Sequence, residues 1–200
     1  MSDLVAILLA AGESRRLGTP PKPLRRHYRQ PLVRWQAIRL LRLDIAVVVV
    51  TGYQAEAAMQ ALDGLPVTCT VNRDWRQGRA SSLRHGVKTV LADYEAALVT
   101  LCDQVMLPRE HWQRLIEVWR RQPDAAVATR YRDDGVGVPA VFPSGLMQSV
   151  VTSSAPPKTL LRSVVPSART IACPEAEIDI DTPEDARRLL RPFSPDPGGH

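Results

Sequence analysis

Cysteine is scarce in this chain and carries no pattern. Cys69, Cys102 and Cys173 form no Cys-x-x-Cys pair and leave an odd thiol over, which argues against a disulfide scaffold or a zinc site and suits a reducing compartment. Long hydrophobic runs are absent as well, none reaching the length of a bilayer span. Met1-Ser2-Asp3 lacks the basic start of a secretory leader. Together these predict a soluble, cytoplasmic protein without a membrane partner. Aromatic residues are only 5% of the chain and are not interleaved with basic ones as in RNA-binding modules, so nucleic acid is not an expected partner. Acidic residues are missing from one stretch: between Arg15 and Arg42 stand nine Lys or Arg and no Asp or Glu. Such a field attracts a nucleotide or a phosphorylated cofactor, the plain alternative being a solvated basic face. Two glycine signatures are also lacking. No Gly-x-Gly pair follows the first strand, and Lys22 neither follows a Gly nor precedes a Ser or Thr, so this is neither a dinucleotide fingerprint nor a Walker loop.

What is present is an alternation. The 200 residues are 44% apolar, enough for one domain with a sizeable core over residues 1–191, followed by a Pro- and Gly-rich tail, 192–200, expected to be disordered. Apolar runs at Leu4 to Leu9, Ala46 to Val50, Val67 to Val71 and Ala96 to Leu101 read as buried strands. Helical patterns run from Pro31 to about Leu43, Gln54 to Leu62, Ser81 to Leu91 and Pro108 to about Arg121. Strands are expected at Ala125 to Thr129 and Val138 to Phe142, a short helix at Ser144 to Val151, a loop at Thr152 to Lys158, and a last helix at Pro183 to Leu190 capped by Thr182. The expected fold is therefore α/β: a three-layer, Rossmann-like, mainly parallel sheet with helices on both faces.

The stretch from Leu9 to Leu24 organises the rest. Leu9, Ala10, Ala11 and Gly12 end the first strand in small residues that let a ligand approach the backbone, and Arg15, Arg16 and Lys22 add positive charge. In outline this is a triphosphate cradle. In an open parallel sheet ligands bind beyond the carboxyl ends of the strands. Asn72 through Arg84 follow the third strand, with Gly78 and the Ser81-Ser82 pair at a helix start. Asp103 follows the fourth strand, where a carboxylate beside a phosphate loop can hold Mg²⁺. Asp179 and Asp181 in an extended segment project to one side, so both could face one metal; a plain helix start is the competing reading.

Leu-Ala-Ala-Gly-x-Ser-x-Arg-Leu-Gly followed by Pro-Lys-Pro-Leu resembles the signature of the molybdenum cofactor cytidylyltransferase family, within the nucleotidyltransferases of nucleotide-diphospho-sugar transferase type. The spacing from Gly18 to Lys22 departs by one residue from the usual form, and Val105 stands where the family has Pro. The resemblance implies Lys22 and Arg16 as catalytic cations, Leu9, Ala10, Ala11, Gly12, Arg15, Lys22, Asn72, Gly78 and Ser82 as nucleotide contacts, and Asp103 and Asp181 as metal ligands supported by Asp179. It implies Gly137 and Pro139 on the acceptor side, with Lys158 where the family carries an Arg. Ser154 replaces an Asp of that loop, and Pro156-Pro157 replace Gly-Ala.

The implied reaction moves a nucleoside monophosphate, most favourably CMP from CTP, to a phosphorylated acceptor such as molybdenum cofactor, with Mg²⁺ as cofactor and release of pyrophosphate. A molybdoenzyme is then the eventual recipient. The competing readings are a cofactor-binding maturation chaperone without turnover, a transferase using GTP or another acceptor, and, weakened by the missing fingerprint, a nicotinamide oxidoreductase. Cys102 is expected to be a buried thiol rather than a nucleophile, since no His or Asn is placed to activate it.

Overall fold

A computed structural model describes residues 3–164 and 169–190. The expected tail, 192–200, and His200 lie outside the described residues. In chain order the strands and helices are β1 (Leu4–Leu9), β2 (Arg26–His27), β3 (Gln30–Pro31), α1 (Leu32–Leu41), β4 (Ala46–Thr51), α2 (Ala55–Ala61), β5 (Thr68–Val71), α3 (Arg79–Val90), β6 (Ala96–Leu101), α4 (Arg109–Arg121), β7 (Val127–Arg130), β8 (Val136–Pro143), α5 (Ser144–Thr152), α6 (Pro157–Ser163), β9 (Arg169–Ala172) and α7 (Pro183–Leu189). Seven of these strands form one sheet in the order β5-β4-β1-β6-β8-β7-β9. β8 alone runs against its neighbours; the other pairings are parallel.

The central strand shows why both faces are covered. Leu4, Ala6 and Leu8 pack with Val33, Ala37 and Leu40 of α1 and with Trp112, Leu115 and Trp119 of α4. Val5, Ile7 and Leu9 pack with Leu83, Val87 and Val90 of α3 and with Met147 and Val150 of α5. Side chains alternate across a strand, so a run apolar at every position needs a helix layer on each side. A third cluster, Leu17, Leu32, Val105, Ile180, Ala186 and Leu189, seats α7 beside the loops that follow β1 and β6.

Several expectations shift by a turn. Helix α6 begins at Pro157, so the loop after α5 is shorter than Thr152 to Lys158; proline at a first helical position gives up only an N–H that has no intrahelical partner. The helix after Gly78 begins at Arg79, ahead of Ser81. Thr182 caps α7 as expected, with Asp185 completing a reciprocal capping box. The small β2–β3 hairpin and β9 were not anticipated. The first has two-residue strands, and the sequence Arg-Thr-Ile-Ala of β9 is too mixed and half-exposed to signal a strand.

Candidate active site

Three strand exits meet at one edge of the sheet. The register pairs Leu9 with Val50 and with Leu101, and the ladder continues past the strands through Ala10 N–H to Val50 O (2.9 Å) and Cys102 N–H to Leu9 O (3.2 Å). Because β8 runs the other way, its start at Val136–Gly137 lies at this same edge. The loops after β1 and β6 and the opening of β8 are thus brought together by the sheet's own hydrogen bonds.

At the centre stands Lys22, whose side chain is 11% exposed. Its Nζ donates to Asp103 Oδ2 at 2.5 Å and to Asp181 Oδ1 at 3.0 Å. Asp181 Oδ2 also accepts from Arg16 Nη2 at 2.7 Å. Burial by itself would lower the Lys22 ammonium's pKa, but the charge and hydrogen bonds of Asp103 and Asp181 outweigh it and hold the pKa above its usual value. Desolvation would raise Asp181, yet Lys22 and Arg16 hold it below the ordinary carboxylate range. The lysine loop is fixed by Ser14, whose Oγ accepts from Lys22 N–H at 3.1 Å.

Two adjoining cavities open here. The first, about 400 Å³, is lined by Leu9, Ala10, Ala11, Gly12, Arg15, Lys22, Gly78, Ser82 and Asp103, and by Trp75, Arg76 and Arg79 besides. A Cβ on Gly12 would stand in open space, so its backbone is accessible as expected. Gly78 has φ +94°, a conformation that disfavours any side chain. Gly52, behind this wall, leaves room for Trp75: a Cβ there would come within 2.7 Å of the Trp75 Cβ and 2.9 Å of the Ala11 methyl. The second cavity, about 500 Å³, is lined by Gly137 and Lys158 together with Tyr131, Phe142, Pro156, Pro157, Leu161 and Asp179.

Not every expected residue points into these spaces. The buried Asn72 does not line the first cavity; its amide donates to Ser81 Oγ (3.0 Å) and Ser82 Oγ (3.1 Å), and its Oδ1 accepts from Asp74 N–H, bracing the loop. Pro139 does not line the second: it follows a cis peptide bond, and its carbonyl accepts from Thr129 Oγ1. Gly137 makes room for Tyr131, whose hydroxyl donates to Val138 O at 2.6 Å. Arg16 and Asp181 both lie outside the lining of the first cavity; Arg16 pairs with Asp181, which pairs in turn with the cavity-lining Lys22. Asp179 does not join Asp103 and Asp181 on Lys22. It lines the second cavity with Oδ1 buried and unpaired, and burial, followed by the nearby charge of Asp103, pushes its carboxyl up to about 7.

Among the described residues no three His, Cys, Asp or Glu side chains gather at metal-ligand spacing. Asp103 and Asp181 supply the hard oxygen donors Mg²⁺ takes, one or two carboxylates with substrate phosphate and water completing the shell. Both are paired with Lys22, and Asp181 with Arg16 as well, so holding the metal would require Lys22 to give up part of that pairing. Cys102 is buried, and desolvation drives its thiol pKa far up, as expected of an inert core thiol.

Sequence reasoning passed over three contributors. Gln104 is buried: its side-chain Nε2 donates to Val138 O (3.1 Å) and Ala176 O (2.7 Å), and its backbone carbonyl accepts from Gln36 Nε2 (3.1 Å). Gln36 Oε1 in turn accepts from Arg39, whose guanidinium lies over the rings of Trp35 and Trp112. Arg84 Nη2 donates to Ala155 O at 2.7 Å, pinning the Ser153–Pro156 loop to α3. Arg79 lines both cavities; its place directly after a glycine at a helix start was the available signal.

With this geometry in hand, a family model described as the MobA-like NTP transferase domain matches residues 6–171. The chain belongs to that family. A relative named nicotine blue oxidoreductase, from Paenarthrobacter nicotinovorans, is 30% identical over 197 residues, covering 94% of this chain and 96% of the relative. The solved structure of Rv0371c from Mycobacterium tuberculosis H37Rv superposes with a TM-score of 0.76 at 25% identity, covering 94% of this chain and 98% of that one. CMP:2-keto-3-deoxy-manno-octonic acid synthetase, solved in complex with CTP, shares the fold at 14% identity, with a TM-score of 0.74 and coverage of 94% and 95%. The seven-stranded, mostly parallel sheet is thus the Rossmann-like nucleotidyltransferase fold. No helix among the described residues is long and apolar enough to cross a membrane.

Proposed function

We propose that this chain, with residues 1–191 as one catalytic domain acting in the cytoplasm, transfers a nucleoside monophosphate to a phosphorylated acceptor and releases pyrophosphate. CTP is the favoured donor and Mg²⁺ the metal. The observation that carries the reading is the convergence of Lys22, Asp103 and Asp181, from three separate strand and loop ends, at the mouth of a cleft floored by Leu9–Gly12.

The chemistry follows from that convergence. An acceptor phosphate has a second pKa near ~6 and is largely a dianion at neutral pH, so no general base is required. One of its oxygens forms a bond to the α-phosphorus while the bond from that phosphorus to the departing pyrophosphate breaks. The Ala10–Gly12 amides and Arg15 bind the triphosphate; Lys22, already charged and fixed by two carboxylates, offsets negative charge beside the α-phosphate. Asp103 and Asp181 would hold Mg²⁺, which when bound neutralises phosphate oxygens. Asn72 and Gly78 hold the wall carrying Ser82 in position. Trp75 and the Ala11 wall narrow the base subsite, which supports a pyrimidine over a purine.

The acceptor is a phosphomonoester; molybdenum cofactor, with a molybdoenzyme as recipient downstream, is the member of that class the family suggests, and the altered loop at residues 153–158 makes it a weaker one here. The test is to offer each triphosphate with Mg²⁺ and a panel of phosphorylated acceptors and to measure pyrophosphate. Turnover with CTP at least about tenfold above GTP is expected, the scale of discrimination that one or two groups in a pocket provide; equal turnover with GTP removes the cytidylyl assignment. Binding without pyrophosphate under any combination would leave the maturation-chaperone reading. The name of the Paenarthrobacter relative and the largely apolar second cavity favour a second reading, oxidoreductase chemistry on an apolar substrate. Oxidation of NADPH by the purified protein in the presence of such a substrate, without triphosphate, would establish it.

A further inference from the structure

Three residues line both cavities: Leu9, Leu101 and Arg79. Arg79 is therefore the charged side chain at their junction. It opens α3 directly after Gly78 and is exposed; its guanidinium makes no hydrogen bond or salt bridge with the side chain of another described residue, and its charge acts on Asp179 and Tyr131 across the second cavity. The other cations around the site are engaged or confined. Lys22 is held by Asp103 and Asp181, Arg15 by Glu13, Arg16 by Asp181, and Arg84 by the Ser154 and Ala155 carbonyls. Arg76 faces the first cavity only, against the Trp75 ring, and Lys158 faces the second only.

Nucleotidyl transfer brings two anions together at one place: the α-phosphate from the first cavity and the attacking phosphate from the second. Their repulsion must be offset where the cavities meet, and a guanidinium offers paired N–H donors matched to phosphate oxygens. Beyond the junction most of the second cavity's wall is apolar, from Leu83, Val99, Val136, Phe142 and Leu161, with Pro156 and Pro157 stiffening one side, while Glu177 and Asp179 add carboxylates that leave Arg79 and Lys158 as the cations for a phosphate there. Its volume of about 500 Å³ is that of a small-molecule site.

We propose that Arg79 grips the attacking phosphate at the junction, and that the acceptor is a phosphomonoester whose body is predominantly apolar. This rests on the transfer reading above. In the step, an oxygen of the held phosphate forms the new bond to the α-phosphorus, pyrophosphate leaves with the electron pair of the bond that breaks, and Arg79 keeps its protons throughout.

The test uses 1-naphthyl phosphate, 1-naphthol and inorganic phosphate as probes, titrated into the full chain and into Arg79→Met and Arg79→Lys variants, with CTP titrated separately. Naphthyl phosphate is expected to bind the natural chain more tightly than either fragment. Arg79→Met should weaken it about tenfold or more, the scale of a lost charge-assisted hydrogen bond, and by more than it weakens CTP, while naphthol binding stays within about twofold and an unchanged melting temperature reports that the variant is folded. Arg79→Lys should fall between. Unchanged naphthyl phosphate binding in Arg79→Met, or an equal loss for CTP alone, overturns the assignment; naphthol binding no better than inorganic phosphate overturns the apolar body. Arg79-dependent phosphate binding without pyrophosphate release from any triphosphate would sink the transfer reading and leave Arg79 as an anion contact. Release that is indifferent to Arg79→Met does the reverse.

Discussion

Lys22 has two duties that a substitution separates. It neutralises Asp103, whose side chain is only 7% exposed, and it lines the first cavity, the proposed triphosphate site. Lys22→Ala therefore leaves a buried carboxylate unpaired, a loss of roughly 3 kcal/mol in stability, and should lower turnover by about a hundredfold or more. Thermal melting and pyrophosphate release read the two effects independently. Asp103→Ala removes the buried charge while Asp181 still pairs Lys22, so the fold should survive and Mg²⁺-dependent turnover should vanish; near-native activity would end the metal assignment. The sequence showed these residues by their motifs, but not that Lys22 stands between the carboxylates, because its partners lie 81 and 159 residues away. It grouped Asp179 with Asp181 through strand-like alternation, whereas the chain there is no strand and Asp179 turns into the second cavity.

At the scale of elements, α3 sets both cavities. It presents Arg79 and Ser82 to the cleft and lies close on the sheet at Gly86, where a Cβ would come within 2.8 Å of both Ile7 Cγ2 and Val50 Cγ2. Gly86→Val should lift the helix and cost about 2–3 kcal/mol, visible as a lower urea midpoint together with weaker CTP binding. Gly86→Ala should cost less, since gained helix propensity of about 1 kcal/mol offsets part of the clash. A midpoint for Gly86→Val equal to the natural chain would show that α3 has slack. The Ser153–Pro156 loop belongs to the same layer through Arg84. Its Pro-Pro step removes backbone donors, and Ser154 does not line the cavity. Molybdopterin should accordingly be a poorer acceptor here than for a family member carrying Gly-Asp-x-Gly-Ala-Arg, by roughly 1–3 kcal/mol per lost contact. Matching kcat/KM values would show that the loop does not choose the acceptor.

For the whole molecule, one contribution to acid stability comes from a buried histidine away from the site. His111 on α4 is buried, and with the Thr129 hydroxyl donating to Pro139 O, its Nε2–H donates to Thr129 Oγ1 at 2.8 Å. Burial first, then the charge of Arg114, lowers its pKa to about 4, with Glu175 opposing. The ring protonates near ~6.5 in the unfolded chain, so its contribution is complete above that pH and is lost as pH falls towards about 4. On the order of 2–3 kcal/mol should disappear across that window, and His111→Gln, which keeps a donor for Thr129, should flatten the pH dependence of the melting temperature there. An unchanged slope would place the acid sensitivity elsewhere. By itself the sequence determined the strands buried on both faces, their alternation with helices, and the small-residue loop after the first strand that the proposed function uses, because local period and small-residue spacing are properties of neighbours along the chain. Only the tertiary structure decided that Asn72 and Pro139 brace rather than line, that Gln104 ties β8, α1 and the turn at Ala176 together, that β9 closes the sheet, and that Arg79 faces both cavities. Those outcomes depend on which distant segments hydrogen-bond at one edge of the sheet, and local pattern carries no information about that pairing.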